Sequence, residues 1–251
     1  EYNWRIMELR ERQQSILGAV VREYVRTARP VAAQDLTHEW DLGVGSATIR
    51  NEMLALDELG YLEQPYTSSG RVPTDKGYRF FVDHLLDNLA PSNREQIKIR
   101  ELFAGSDDEI PASSQAGRTG FIKEFSRTIS QMTGAFAAAG IFDDELFYDV
   151  GFSQILKEPE FQDITYLESF GKLMDVLDNE MPGLCRETHN ESEVAVLIGR
   201  ENPLREGRGY AMILSSWQHP AGFGGFLTLI GPKRMDYQRT ISLLRCIRDL
   251  D

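Results

Sequence analysis

The chain has 251 residues, with 27 Lys+Arg against 39 Asp+Glu for a formal charge of −12, and 41% of its residues are hydrophobic. With 13 Phe, 9 Tyr and 3 Trp it carries the apolar mass that a disordered chain lacks, so a folded protein of one large or two modest domains is expected. Its longest strictly apolar stretches, such as Ala135 to Ala139 and Val194 to Ile198, fall far short of the ~20 residues a bilayer-spanning helix needs.

The opening Glu1-Tyr2-Asn3-Trp4-Arg5 has no apolar signal-peptide core, and a cytoplasmic location is the expectation. Cys185 and Cys246 form no C-x-x-C pair, and His38, His84, His189 and His219 are scattered, so neither a metal site nor a cofactor is expected. Ile16, Leu17, Val20, Val21, Tyr24 and Ala28 recur at helical steps, and Arg29-Pro30 disfavours a further turn; the first helix should end near Thr27. Val31 to Trp40 supplies a short second helix with Leu36 and Trp40 inward, followed by a turn at Asp41-Leu42-Gly43. Ser46 is placed as N-cap of a third helix running to about Leu59, with Ile49, Met53, Leu56 and Leu59 on its inner face and Gly60 ending it. Tyr61 to Gln64 and Arg71 to Pro73 read as a hairpin around the turn formers Pro65 to Gly70. Asp75 to Leu89 is helical again, with Tyr78, Phe81, Val82 and Leu85 inward, and a boundary near residue 90 divides the chain into domains 1–90 and 91–251.

In the second domain, Ser92-Asn93-Arg94-Glu95 has the spacing of a capping box and opens a helix to about Ala104. Gly105 to Gly117 is polar and reads as a mobile loop, and Phe121, Phe125, Ile129 and Met132 mark an amphipathic helix. Ala135 to Phe142 is a strand or a helix end; periodicity leaves the choice open. A helix over Phe161 to Leu177 follows, then strands at Glu193 to Gly199, Tyr210 to Trp217 and Gly225 to Gly231, and a last helix from Asp236 to Leu250. The class is α+β with antiparallel strands.

Helix, turn, helix and hairpin, in that order, make a winged helix-turn-helix, whose third helix enters the major groove of DNA. At about 100° per residue, Ala47 and Asn51 point away from the core direction set by Ile49, and Thr48 and Arg50 flank them. Arg50 can fork onto guanine and Asn51 onto adenine, while the methyls of Ala47 and Thr48 can touch thymine. Ser46 and the first helical N–H groups suit a phosphate, and Thr67, Ser68, Arg71 and Lys76 complete the DNA-binding set from the hairpin and its exit. Leu54 projects about 140° from Ile49 and needs cover from the first helix or the hairpin. Charge gives weak support: residues 1–88 hold 10 Lys+Arg and 14 Asp+Glu. The expected compensation is a local surplus of +2, from Arg71, Lys76 and Arg79 against Asp75, with Glu52, Asp57, Glu58 and Glu63 further from the groove. The bland rival is a helical domain whose polar face is merely solvated.

Other candidate sites read as structural. Gly222-Phe223-Gly224-Gly225 lacks the Gly-Lys-Ser/Thr of a phosphate loop, and Glu158, Glu160, Asp143 and Asp144 read as solvated loop acids. Glu201-Asn202 and Lys233-Arg234 read as turn and cap residues, and with no nucleophile beside a base the chain is not expected to be an enzyme.

Leu42 to Met53 (LGVGSATIRNEM), Leu59 to Pro65 (LGYLEQP) and Thr67 to Arg79 (TSSGRVPTDKGYR) together resemble the HrcA family of heat-inducible transcription repressors. The resemblance returns at Gly151 to Leu156, Glu158 to Phe161, Ile198 to Asn202 and Ile230 to Tyr237. It implies a homodimeric winged-helix repressor with a GAF-like second domain, bound to an inverted-repeat operator, the CIRCE element, before chaperone operons. It also implies a GroEL-type chaperonin as the partner that helps the repressor reach its DNA-binding form. Only 16 residues separate Gly134 from Gly151, where the family carries part of the GAF-like sheet and an inserted dimerisation domain, so the inserted domain is short or missing. The dimer contact should then involve the second domain, with the final helix from Asp236 a candidate. The alternative function is a winged-helix regulator whose GAF-like domain senses a small metabolite.

Overall fold

The computed structural model describes residues 9–87, 89–104, 111–142, 147–189 and 194–250, and the chain separates into two compact units, 1–87 and 88–251.

In the first unit, α1 (Glu11–Thr27) buries Ile16, Leu17, Val20 and Val21 and stops where the sequence pattern places its end. Ala28 takes the left-handed region (φ 53°) and its N–H donates to the Tyr24 carbonyl. Helix α2 (Ala33–Glu39) is shorter than Val31 to Trp40, because the Asp35 carboxylate accepts from the Ala32 N–H at 2.9 Å and Val31 is drawn into a β-bridge with Arg71. Helix α3 (Ser46–Glu58) buries Ile49, Met53 and Leu56. Its N-cap is Gly45 rather than Ser46: the extended Gly45 carbonyl accepts from Thr48 and Ile49, and Ser46 lies one residue inside the helix. Leu59 is only half-buried. Strands β1 (Leu62–Glu63) and β2 (Val72–Pro73) pair antiparallel, Leu62 opposite Pro73. Thr74 caps α4 (Asp75–His84), whose inner face uses Tyr78, Phe80 and Phe81, so Phe80 takes the place expected of Val82.

The second unit opens with α5 (Asn93–Ala104) and the expected capping box: the Glu95 carboxylate accepts from the Ser92 N–H at 2.9 Å and the Ser92 hydroxyl accepts from the Glu95 N–H at 3.4 Å. Helix α6 (Gln115–Thr133) starts earlier than read, because the Ser114 hydroxyl accepts from the Gly117 N–H; residues 105–110 of the expected loop lie outside the described residues. Strand β3 (Phe136–Ile141) settles the open choice at Ala135 to Phe142. Strand β4 (Phe147–Val150) and helix α7 (Phe152–Ile155), both too short to show a period, were not legible in the sequence. Helix α8 (Ile164–His189) outlasts the expected Leu177. Strand β5 (Ala195–Ile198) ends where Gly199 turns at φ 55°, and β6 (Tyr210–His219) and β7 (Phe223–Pro232) meet at a turn whose Gly222 has φ 84°. Helix α9 (Tyr237–Arg248) closes the unit, its apolar Tyr237, Ile241, Leu243, Leu244 and Ile247 buried.

All five strands of the sheet pair antiparallel in the order β4-β3-β7-β6-β5. Side-chain alternation gives it two apolar faces. Phe136, Ala138, Tyr210, Met212, Leu214, Phe226 and Ile230 pack with Phe170, Leu173 and Leu177 of α8, while Trp217 on the opposite face meets Phe121 and Phe125 of α6 at 5.2 and 5.4 Å. Glu158 and Glu160 are not solvated loop acids. Both pair with the buried Arg234, at 2.6 and 2.5 Å, and tie the turn after β7 to the segment that enters α8. Burial would push that guanidinium down, but the two carboxylates outweigh it and raise its pKa. Asn202 is likewise structural, its amide donating to the carbonyls of Gly199, Gly207 and Tyr210. Asp143 and Asp144 lie outside the described residues.

His219 is buried against Phe223, centroids 4.5 Å apart, and its Nδ1 accepts from the Ala221 N–H at 3.0 Å. Burial holds its pKa below the ordinary 6.5. Below that pH the unfolded chain takes up a proton that the folded chain excludes, so the stabilisation present above pH ~6.5 is lost as pH falls towards the folded pKa. The urea midpoint should therefore drop between about pH 7 and pH 5, and His219→Phe should flatten that slope. An unchanged slope in the variant would remove His219 from the account.

Candidate nucleic-acid interface

The inner face of α3 is fixed by Ile49, Met53 and Leu56, and its end is fixed by hydrogen bonds. Gly60, at φ 77°, donates to the Asp57 carbonyl at 2.8 Å and Tyr61 donates to the Leu56 carbonyl at 2.9 Å, a Schellman closure. The first turn of α4 completes it. The Lys76 ammonium donates to the Leu59 carbonyl at 2.8 Å and sits 4.1 Å over the Tyr61 ring, while the Thr74 hydroxyl donates to the Gly60 carbonyl at 2.7 Å. Gly77 must be glycine for this contact, since a Cβ there would lie 2.2 Å from the Tyr61 oxygen.

The hairpin is held on its other side by the α1–α2 connection. Arg71 and Val31 exchange backbone hydrogen bonds of 2.8 and 2.9 Å, and a Cβ on Gly70 would meet the Val31 oxygen at 2.3 Å. The Arg71 guanidinium reaches Asp57 of α3 at 2.5 Å, joining hairpin and helix directly. At the tip, the Ser69 hydroxyl donates to the Tyr66 carbonyl and the Gln64 amide to the Ser69 carbonyl, with Ser68 at φ 68°.

Against that frame, Ala47, Arg50 and Asn51 are exposed on α3, with Ser46 and Thr48 half-buried beside them. Among the described residues neither Arg50 nor Asn51 has a side-chain hydrogen bond or ion pair, which leaves a guanidinium fork and a carboxamide free. The Ser46 and Ala47 N–H groups precede the first intrahelical bond. Thr67 and Ser68 are exposed at the hairpin tip. Leu54 receives no cover from α1 or the hairpin and stays 50% exposed, contrary to expectation.

The expected local surplus of positive charge is absent. Asp57, read as remote, pairs with Arg71; Arg79 pairs with Asp83 at 3.0 Å; and Lys76 is turned onto the end of α3, its pKa lowered by burial. Arg12 meets Glu52 at 3.6 Å and Arg26 meets Glu23 at 2.7 Å. Sequence reasoning missed the Arg71–Asp57 pair, since nothing local links two residues brought together by the hairpin fold.

Residues 88–241 match the family model described as the HrcA protein C terminal domain. The chain belongs to the HrcA family. The heat-inducible transcription repressor HrcA of Caldanaerobacter subterraneus subsp. tengcongensis is 30% identical, over 95% of this chain and 94% of that protein. The HrcA repressor of Alkaliphilus metalliredigens is 27% identical over 95% of each. Those alignments run over 331 and 332 positions, more than this chain contains, so these HrcA relatives carry segments with no counterpart here. A crystal structure described as a hypothetical protein at 2.2 Å resolution shares the fold, with a TM-score of 0.70 at 19% identity over 96% of this chain and 97% of that one. No helix among the described residues is long and apolar enough to cross a membrane.

The frame makes a direct prediction. Gly70→Ala should lower the stability of the first unit by about 1–3 kcal/mol, because the added methyl must push the hairpin off Val31. An unchanged urea midpoint would mean that the hairpin is not anchored there.

Proposed function

We propose that this chain is a heat-inducible transcription repressor whose first unit is a winged helix-turn-helix that lays α3 in the major groove of an inverted-repeat operator. The observation that carries this reading is that Arg50 and Asn51, exposed on a helix pinned at its far end, have no side-chain partner among the described residues. Arg50 suits guanine and Asn51 adenine, with the methyls of Ala47 and Thr48 on thymine. Ser46 and the N-terminal N–H groups suit one phosphate, and Thr67 and Ser68 of the wing another. Arg71 and Lys76 support the interface by holding hairpin and helix together. The named relatives, which are heat-inducible transcription repressors, support the same role.

Arg50→Ala and Asn51→Ala should each cost about 1–3 kcal/mol on a CIRCE-like inverted-repeat duplex and far less on random DNA. Arg71→Ala, which frees the hairpin from Asp57 of α3, should weaken operator binding and also lower the urea midpoint of the first unit. Equal losses on both duplexes for Arg50→Ala and Asn51→Ala, measured by mobility shift at fixed salt, would sink the recognition-helix assignment.

A palindromic operator read by identical helices requires a two-fold dimer, and we assign the contact to the GAF-like second unit in a cytoplasmic protein with no enzymatic role. A strict monomer in light scattering that binds a half-site as tightly as the full repeat would contradict this. Chaperonin control fits the topology, because β3 pairs with β7 across some 90 residues, Phe136 opposite Ile230, and such distant pairings form slowly with apolar surface exposed. Refolding from denaturant should accordingly recover more operator binding with a GroEL-type chaperonin and nucleotide than without. Full spontaneous recovery at every temperature and concentration would favour a metabolite-sensing second unit.

A further inference from the structure

On α3, Leu54 lies within about 20° of Ala47, 40° of Arg50 and 60° of Asn51 when successive residues are set 100° apart. These four form one stripe, and all are exposed. Two ion pairs bring neighbouring elements of the first unit onto α3. Helix α1 reaches it through Arg12 at Glu52, about 160° from Leu54, and the hairpin reaches it through Arg71 at Asp57, about 60° from Leu54 and nearly one turn further along. Glu58 shares the sector one turn further on and is exposed. Its charge is repelled by a phosphate-lined groove, so the stretch of α3 suited to DNA ends at Leu54.

We infer that Leu54 is a specificity-determining residue that contacts the C5-methyl of a thymine beside the bases met by Arg50 and Asn51, a reading that rests on α3 being the recognition helix. The chemistry is selective. A branched apolar side chain can neither donate nor accept, and the thymine methyl is the one apolar group that the major-groove edges present. Ala47 and Leu54, about two turns apart on one line, bracket Arg50 and Asn51 between two apolar contacts. An isolated exposed leucine needs no explanation, but this one is uncovered in the same stripe as Arg50 and Asn51, whose side chains have no partner among the described residues.

The test uses the full chain and an inverted-repeat duplex, alongside duplexes in which one thymine per half-site is replaced by deoxyuridine, which lacks only the methyl. One such replacement in each half-site should weaken the unsubstituted chain about four- to fifteenfold, the loss of roughly one or two buried methylene equivalents. Leu54→Ala should bind the thymine duplex that much more weakly and be indifferent to the same replacement. Because Leu54 is exposed, the variant should keep its thermal midpoint. The inference is overturned if Leu54→Ala binds like the unsubstituted chain, if every uridine replacement costs both proteins alike, or if its loss of binding comes with altered self-association. Arg50→Ala separates the two levels. Should it keep full operator preference, the recognition-helix reading itself fails; should it lose that preference while Leu54→Ala does not, only the role of Leu54 fails.

Discussion

The end of α3 is the point on which the first unit depends. A helix offers one face to a core and leaves its last carbonyls bare, and here those carbonyls are consumed by Gly60, Tyr61, Thr74 and Lys76 within one compact knot. Gly60 supplies the left-handed backbone, Gly77 the closeness, and Lys76 a charge that complements the negative end of the helix dipole. Because the same knot carries β1 and the start of α4, fixing the helix end also fixes where the hairpin leaves it. Arg71 then closes the loop by reaching back to Asp57. The outward stripe of α3 is held by a frame rather than by its own contacts.

That economy explains how an acidic chain can be read as a DNA-binding protein. Most of the described cations of the first unit are spent internally, on Asp57, Asp83, Asp87, Glu23, Glu52 and the carbonyl of Leu59. Little is left for non-specific attraction to phosphate, so on the proposed reading affinity comes from a few placed contacts, of which Arg50 is one. Low background attraction also favours discrimination, since specificity is the difference between right and wrong sites. In the second unit the two-faced sheet and the Arg234–Glu158–Glu160 cluster build a stable core from segments far apart in the chain.

The sequence was informative where the physics is local. Helical periods, the capping box at Ser92, the glycine at position 60 and the hairpin at Pro65 to Gly70 were all readable, because each depends on residues within a few positions of one another. The resemblance carried by LGVGSATIRNEM and its downstream partners was equally readable, and the relatives that align over 95% of the chain agree with it. Tertiary choices were not. Whether Ser46 or Gly45 capped α3 turned on one backbone angle, the partner of Arg71 lay 14 residues away across a hairpin, and the acids at 158 and 160 found an arginine some 75 residues downstream. Leu54 misleads for a related reason: an apolar residue on a polar face asks for cover from within the chain, and the described residues supply little, leaving it 50% exposed.

The most direct measurement is a titration of the full chain with operator duplex, following the side-chain nitrogens of Arg50 and Asn51 by nuclear magnetic resonance. Neither side chain has a partner among the described residues, so their signals report on what arrives from outside. The account predicts large, saturable shifts of the Arg50 Nε and Asn51 Nδ2 resonances with operator and small ones with random DNA of equal length. Shifts confined to residues away from α3, with those two resonances unmoved at saturation, would contradict it.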